Sequence, residues 1–337
     1  MRTTYLITGF SLTALLYATA ASGADPRLMN LVMPDASSLA GANVTNAEIT
    51  PFGQYVLTQL TSTVNQQLQK FITTTGFDPR QDLSEILAAS SGNVTNPSGL
   101  VLGLGNFPVA QITTAITATK GTQGTAPTVQ TYNGATLITD GTGKTAYSIA
   151  FLGTTIAIIG DTASVKAAID RSTGANSITP ALAVQVQALS TTEDAWAVTD
   201  SPMTSLIPEL GASAVGTPLP QLGQMFSGIL GSSGGIKFGN TVVITGQALT
   251  NDAGTAKSLA DVLQALVSIA SMAGGQNSEM SSIAQLLQGL KVTADGTTIN
   301  IALSIPETQL ETILNSLKNQ AKPAAKAAVK PAMFLRQ

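Results

Sequence analysis

The chain has 337 residues, contains no histidine and no cysteine, and only 10% of it is Asp, Glu, Lys or Arg. Without imidazole or thiol it lacks the side chains that carry most proton transfer near neutrality, thiol catalysis and soft-metal ligation. Residues 24–320 hold 11 basic against 19 acidic groups, net −8, while four basic residues (Lys322, Lys326, Lys330 and Arg336) follow them, a balance that repels nucleic acid.

Residues 1–23 read as a signal peptide. Arg2 gives the positive start, Tyr5 to Tyr17 is apolar apart from Thr, Gly and Ser, and small-residue cleavage patterns follow at Ala18-Thr19-Ala20 and Ala21-Ser22-Gly23. The apolar stretch is shorter than the roughly 20 residues a membrane span needs, and no later segment is long and apolar enough to span. No cysteine follows the signal, which removes a lipid anchor on that residue. The expectation is an extracytoplasmic protein, periplasmic or secreted, with no transmembrane span after cleavage. A mature chain of about 300 residues can bury one or two cores without disulfides.

Residues 24–175 are expected to form an N-terminal α+β half. Pro51 opens a helix with Leu57, Leu60, Val64, Leu68 and Phe71 on one face. Asp78-Pro79-Arg80-Gln81 resembles a helix start, and Leu83, Ile86 and Leu87 follow at helical spacing. Asn133-Gly134 between Thr128–Tyr132 and Ala135–Ile138 predicts a hairpin. Tyr147, Ile149 and Phe151 predict a strand paired with Thr154–Ile159, and a helix follows from Asp161 to Arg171. Ser172 to Ser177 is the expected joint.

Residues 176–320 are expected to form a C-terminal α+β half. Ile236–Phe238 and Val242–Leu249 predict a hairpin turning at Gly239-Asn240. A helix from Asp252 to Met272 carries Leu259, Leu263, Leu266, Val267 and Ala270. A further helix is expected to bear Ile283, Leu286, Leu287 and Leu290. Val292 to Ile305 reads as a hairpin turning at Asp295-Gly296, with Ile299, Ile301, Leu303 and Ile305 on one face. Ser304-Ile305-Pro306-Glu307 resembles a capping box before a helix that buries Leu310, Ile313, Leu314 and Leu317. Residues 321–337 read as a disordered Lys/Ala/Pro tail, either solvated or tethered to an acidic surface.

Short turns and one-sided alternation imply α+β: antiparallel sheets with amphipathic helices packed on one face. Each half shows hairpin strands followed by an amphipathic helix, which leaves structural duplication and mere recurrence both open.

Chemical motifs are scarce. Gly141-Thr142-Gly143-Lys144-Thr145 lacks the earlier glycine of a phosphate loop, Ile138 standing in its place, and reads as a turn. Gly103-Leu104-Gly105 lacks the third glycine of a dinucleotide site. No serine stands three residues before a lysine, so the Ser-x-x-Lys signature is absent. Paired carboxylates remain as a hydrolytic option, with Asp194 and Asp200 flanking Trp196, or Glu85 and Glu193. The plainer reading places Glu193 and Asp194 in a solvated loop and Trp196 in the core. Asn43-Val44-Thr45 and Asn93-Val94-Thr95 match the glycosylation sequon. No catalytic, cofactor-binding or metal-ligating residue is assigned, and no cofactor is expected.

The run Phe151-Leu152-Gly153-Thr154-Thr155-Ile156-Ala157-Ile158-Ile159-Gly160-Asp161 leads into Ser164-Val165-Lys166-Ala167-Ala168-Ile169-Asp170. Together with Pro51-Phe52-Gly53-Gln54 it resembles a group of exported bacterial α+β proteins of unknown function, over residues 28–320. The resemblance implies an extracytoplasmic protein and carries no site residue.

The leading expectation is an exported, non-catalytic protein that binds an apolar ligand between sheet and helices, on surfaces like Leu57, Leu60, Val64 and Leu68 facing Ile299, Ile301 and Leu303. Alternatives are a structural or interaction protein of the cell envelope, acting on an envelope protein, and a carboxylate-dependent hydrolase. With no histidine, folding stability is expected to be nearly flat between about pH 5 and 8.

Overall fold

The computed structural model describes residues 23–62, 65–91, 98–118, 126–143, 146–174, 178–202, 228–273 and 289–315. Residues 1–22 of the signal-like segment, Val64, Asn93, Lys144, Ile283, Leu286, Leu287, Leu317 and the basic tail lie outside them.

The first half opens with α1 (Pro26–Met29), β1 (Ser38–Asn43), α2 (Val44–Ile49), α3 (Pro51–Ser62) and α4 (Asn65–Thr75). Next come β2 (Leu83–Ser90), β3 (Gly99–Gly105), α5 (Val109–Thr117), β4 (Thr128–Tyr132) and β5 (Ala135–Asp140). It closes with β6 (Tyr147–Leu152), β7 (Ile156–Asp161) and α6 (Thr162–Arg171). The second half has α7 (Pro180–Thr192), β8 (Ala195–Thr199), β9 (Ile229–Lys237), β10 (Thr241–Thr250) and α8 (Ala253–Ala273). It ends with β11 (Leu290–Asp295), β12 (Thr298–Pro306) and a helix over 307–315, α9.

The fold is α+β. Among the described residues every strand joins one antiparallel sheet, in the order β11-β12-β10-β9-β8-β1-β2-β3-β7-β6-β5-β4. The order is symmetric about the β1–β8 seam. Outward from β1 run β2, β3, β7 and β6; outward from β8 run β9, β10, β12 and β11. A helix follows β3 in one half and β10 in the other, and the β4–β5 hairpin is an addition to the first. An antiparallel seam between equivalent strands is what a pseudo-twofold axis normal to the sheet produces.

Strand alternation gives the sheet two faces. The front face carries Leu39, Leu87, Leu102, Ile158 and Ala150, packed with Trp196 and Val198 beneath α1, α6 and α7 in the largest core cluster. The back face carries Phe151, Ala157 and Ile138 under α5 and Phe77, and at the other end Ala248, Val292 and Ile299 under Ala256 and Leu259 of α8. A fourth cluster joins Val242 and Ile305 to Phe52 of α3 and to Leu310 and Ile313 of α9. Ile299 and Ile301 are thus covered by α8, not by the Pro51 helix as the sequence reading supposed.

Local chemistry accounts for the elements that were expected. Asn133 (φ 44°) and Gly134 (φ 82°) give the two positive φ values of a type I′ turn between β4 and β5. Asp161 caps α6 by accepting the Ser164 N–H at 2.9 Å. Gly141 and Gly143 both have positive φ, as a turn between β5 and β6 requires.

Three expectations are corrected. Leu83–Ser90 is strand β2, not a helix: Asp78 accepts the Arg80 N–H and closes a single turn, and the chain then extends. A bulge between Leu83 and Glu85 sends Leu83 and Ile86 to the back face and Leu87 to the front. Burial on both faces produced the helix-like spacing. Leu290 begins β11 and is not helical. Ser304 to Pro306 ends β12 and caps nothing; the Glu307 N–H donates instead to the Asn240 carbonyl at 3.0 Å.

Candidate functional site

On the back face, between the helices at either end, no helix among the described residues covers the central strands. Here Ser38 pairs with Ser90 and Thr199, and Ala40 with Ala88 and Ala197, across three strands. Ser232 and Gly234 of β9 continue the two rows beyond Thr199 and Ala197. These residues line a concavity of about 470 Å³, and among the described residues that line it none carries a charged side chain. That volume is within the usual range for small-molecule sites. Ala40 and Ala197 are exposed, and their methyl groups form the floor. The rim is hydroxylic: Ser38 Oγ and Thr199 Oγ1 lie 2.8 Å apart, and Ser90 and Ser232 stand in the same row.

Small residues at alternate positions build this floor, because a larger side chain on any of the four strands would fill it. The sequence reading assigned none of these residues. The signal that marks them is small residues repeating with period two, as in Ser38-x-Ala40-x-Ala42 and Ala195-x-Ala197-x-Thr199.

A second hollow, of about 250 Å³, lies on the front face between α7 and strands β9 and β10. Gln185, Thr192, Ser233, Thr245 and Gln247 make it the more polar of the two. Glu193 stands beside it, accepting the Thr245 hydroxyl at 3.3 Å.

The candidate carboxylates do not assemble into a catalytic pair. Asp194 and Asp200 flank opposite ends of β8. Asp194 is 2% exposed and is bound by Asn46 Nδ2 (2.8 Å), Lys237 Nζ (2.8 Å) and the Phe238 N–H (2.6 Å). It ties β8 to α2 and to the end of β9, so the solvated-loop reading is replaced by a buried junction. Trp196 packs in the front core, as the plainer reading had it. Glu193 reaches towards β10, whereas Glu85 on β2 reaches towards α1, with β1 between them.

Glu85 is the unusual carboxylate. Burial pushes its pKa up to about 7; the Asp25 N–H bond opposes that rise, the Asp25 charge adds to it, and Arg27 acts weakly against it. Among the described residues no three Asp or Glu side chains gather where they could hold a metal ion, and no helix is long and apolar enough to cross a membrane.

No family model and no curated protein matches this sequence. Among solved structures, crystal form III of TP0453 is similar at a TM-score of 0.48 and 10% identity, over 87% of this chain and 98% of that one. Crystal form I of TP0453 gives 0.46 and 11%, over 88% and 99%. Crystal form IV gives 0.47 and 11%, over 87% and 97%.

Proposed function

We propose that this is an exported, non-catalytic protein that holds an uncharged, largely apolar molecule in the groove over β1, β2, β8 and β9. The observation that carries this reading is the 470 Å³ concavity, lined by alanine and glycine with serine and threonine hydroxyls at its rim. Apolar contact over the floor supplies affinity, and the hydroxyls orient one polar group of the ligand. An ionised ligand would lose hydration there without gaining a counter-charge, so the preferred guest is neutral at the groove.

Native mass spectrometry on protein purified from its own host tests the reading. The expected result is a one-to-one complex with an apolar molecule, lost when Ala197 is replaced by Trp. A ligand-free protein, or a ligand retained by Ala197→Trp, would overturn it.

A further inference from the structure

We propose that the N-terminal segment is removed after Gly23, and that the ammonium group released on Ala24 becomes the counter-ion of Glu85.

Glu85 lies on the front face of β2, and both its oxygens face a single donor, the Asp25 N–H, at 3.1 and 3.2 Å. Among the described residues no ammonium or guanidinium lies within ion-pair distance of it. Arg27, the nearest cation on α1, is committed to Asp25, with its Nη2 2.9 Å from Oδ2. The other charged neighbour, Asp25, is itself an anion and disfavours the Glu85 charge. A half-buried carboxylate with one amide donor and no cation is an incomplete arrangement.

In the uncut chain the segment leading to it packs against the body. Ala24 packs against the front core. A Cβ placed on Gly23 would stand 3.0 Å from Ser190 Oγ and 3.1 Å from Gln187 Nε2 on α7. Ser190 Oγ is buried and has no hydrogen-bond partner among the described residues. The Ala24 nitrogen is one residue from the N–H that already faces Glu85, so a charged amine there brings three donors and a positive charge to this spot.

Of the two cleavage patterns in the sequence, Ala21-Ser22-Gly23 puts the new terminus there. Ala18-Thr19-Ala20 would place it three residues earlier and leave Glu85 without a cation. The chemistry is hydrolysis by a peptidase that selects small residues one and three positions before the cut. Water delivers its hydroxyl to the Gly23 carbonyl carbon and a proton to the Ala24 nitrogen, and the free amine takes up a second proton from solvent. Because Gly23 is packed against α7, the cut precedes folding of the body. Processing and folding are then linked: only a correctly cut chain completes the Glu85 site.

The test begins with the full chain expressed in an exporting bacterium and the intact mass and N-terminal sequence of the processed product. Ala24 should be the first residue. Trace acetylation at neutral pH should then modify the Ala24 amine about tenfold more slowly in folded than in urea-unfolded protein. Its labelling midpoint should lie about one pH unit above that of a free terminus, and Glu85→Gln should remove the shift. A first residue other than Ala24, or a midpoint at or below the free-amine value, as simple burial would give, overturns the proposal. The midpoint needs only the wild-type chain, so the outcome stands even if Glu85→Gln does not fold.

Discussion

Gly41 on β1 lies directly opposite Trp196 on β8, and a Cβ built on Gly41 would stand 2.5 Å from the indole Cζ2. The indole therefore lies flat over the backbone of the neighbouring strand, at the seam where the two halves meet. Gly41→Ala should force the ring out of the front core and destabilise the protein by about 1–3 kcal/mol. Urea unfolding measures this. A loss below about 0.5 kcal/mol would show that the ring relaxes freely.

Asp194 is bound by three donors from two other elements, and its partner Lys237 is 49% exposed. The two ends of this ion pair should therefore respond unequally. Asp194→Ala strands Asn46 and the Phe238 N–H and should cost about 3 kcal/mol. Lys237→Met leaves the carboxylate two donors and should cost under about 1 kcal/mol. Equal losses in chemical denaturation would contradict this account.

A pH effect follows from Glu85 in the chain that retains residues 1–23. Its folded pKa of about 7 lies above the ordinary 4.5, so the folded state binds the extra proton between those values. The stabilisation is complete below about pH 4.5 and is lost as pH rises through about 7. Urea midpoints should fall over that window, and Glu85→Gln should flatten the curve, in place of the pH-independence that the absence of histidine suggests. Asp25 and Asp78 work the other way: hydrogen bonds from Arg27 and Arg80 hold their pKa values down, and that support is lost only in stronger acid.

Filling the groove should separate binding from folding. Ala40 and Ala197 are register partners with exposed side chains, so Ala40→Leu should leave the thermal midpoint within about 2 °C. The same change should abolish co-purification of an apolar molecule. A variant that still carries it would place the ligand elsewhere.

The outer hairpins were legible because tight turns such as Asn133-Gly134 and Asp295-Gly296 join their strands, and because β12 sets Ile299, Ile301, Leu303 and Ile305 on one side against Thr298, Asn300, Ala302 and Ser304 on the other. The centre was not. β1 reads Ser-Leu-Ala-Gly-Ala-Asn and β8 reads Ala-Trp-Ala-Val-Thr, so the side facing the groove is written in small residues with little hydropathy contrast. β2 imitated a helix because it is buried on both faces and bulged. The groove shares that cause: alanines at 40, 88 and 197 signal nothing singly and acquire meaning only once three strands are laid side by side. In the sequence Asp194 reads as a possible acid, and the fold makes it a tie between elements.

The β1–β8 seam has one more consequence. Either half alone would present a bare outer strand whose unpaired amides and carbonyls call for a partner, and the geometry of that missing partner is already written in its own sibling. Two identical fragments meeting edge to edge could rebuild the same continuous ladder, since the strand order of this single polypeptide is the one such a pair would have.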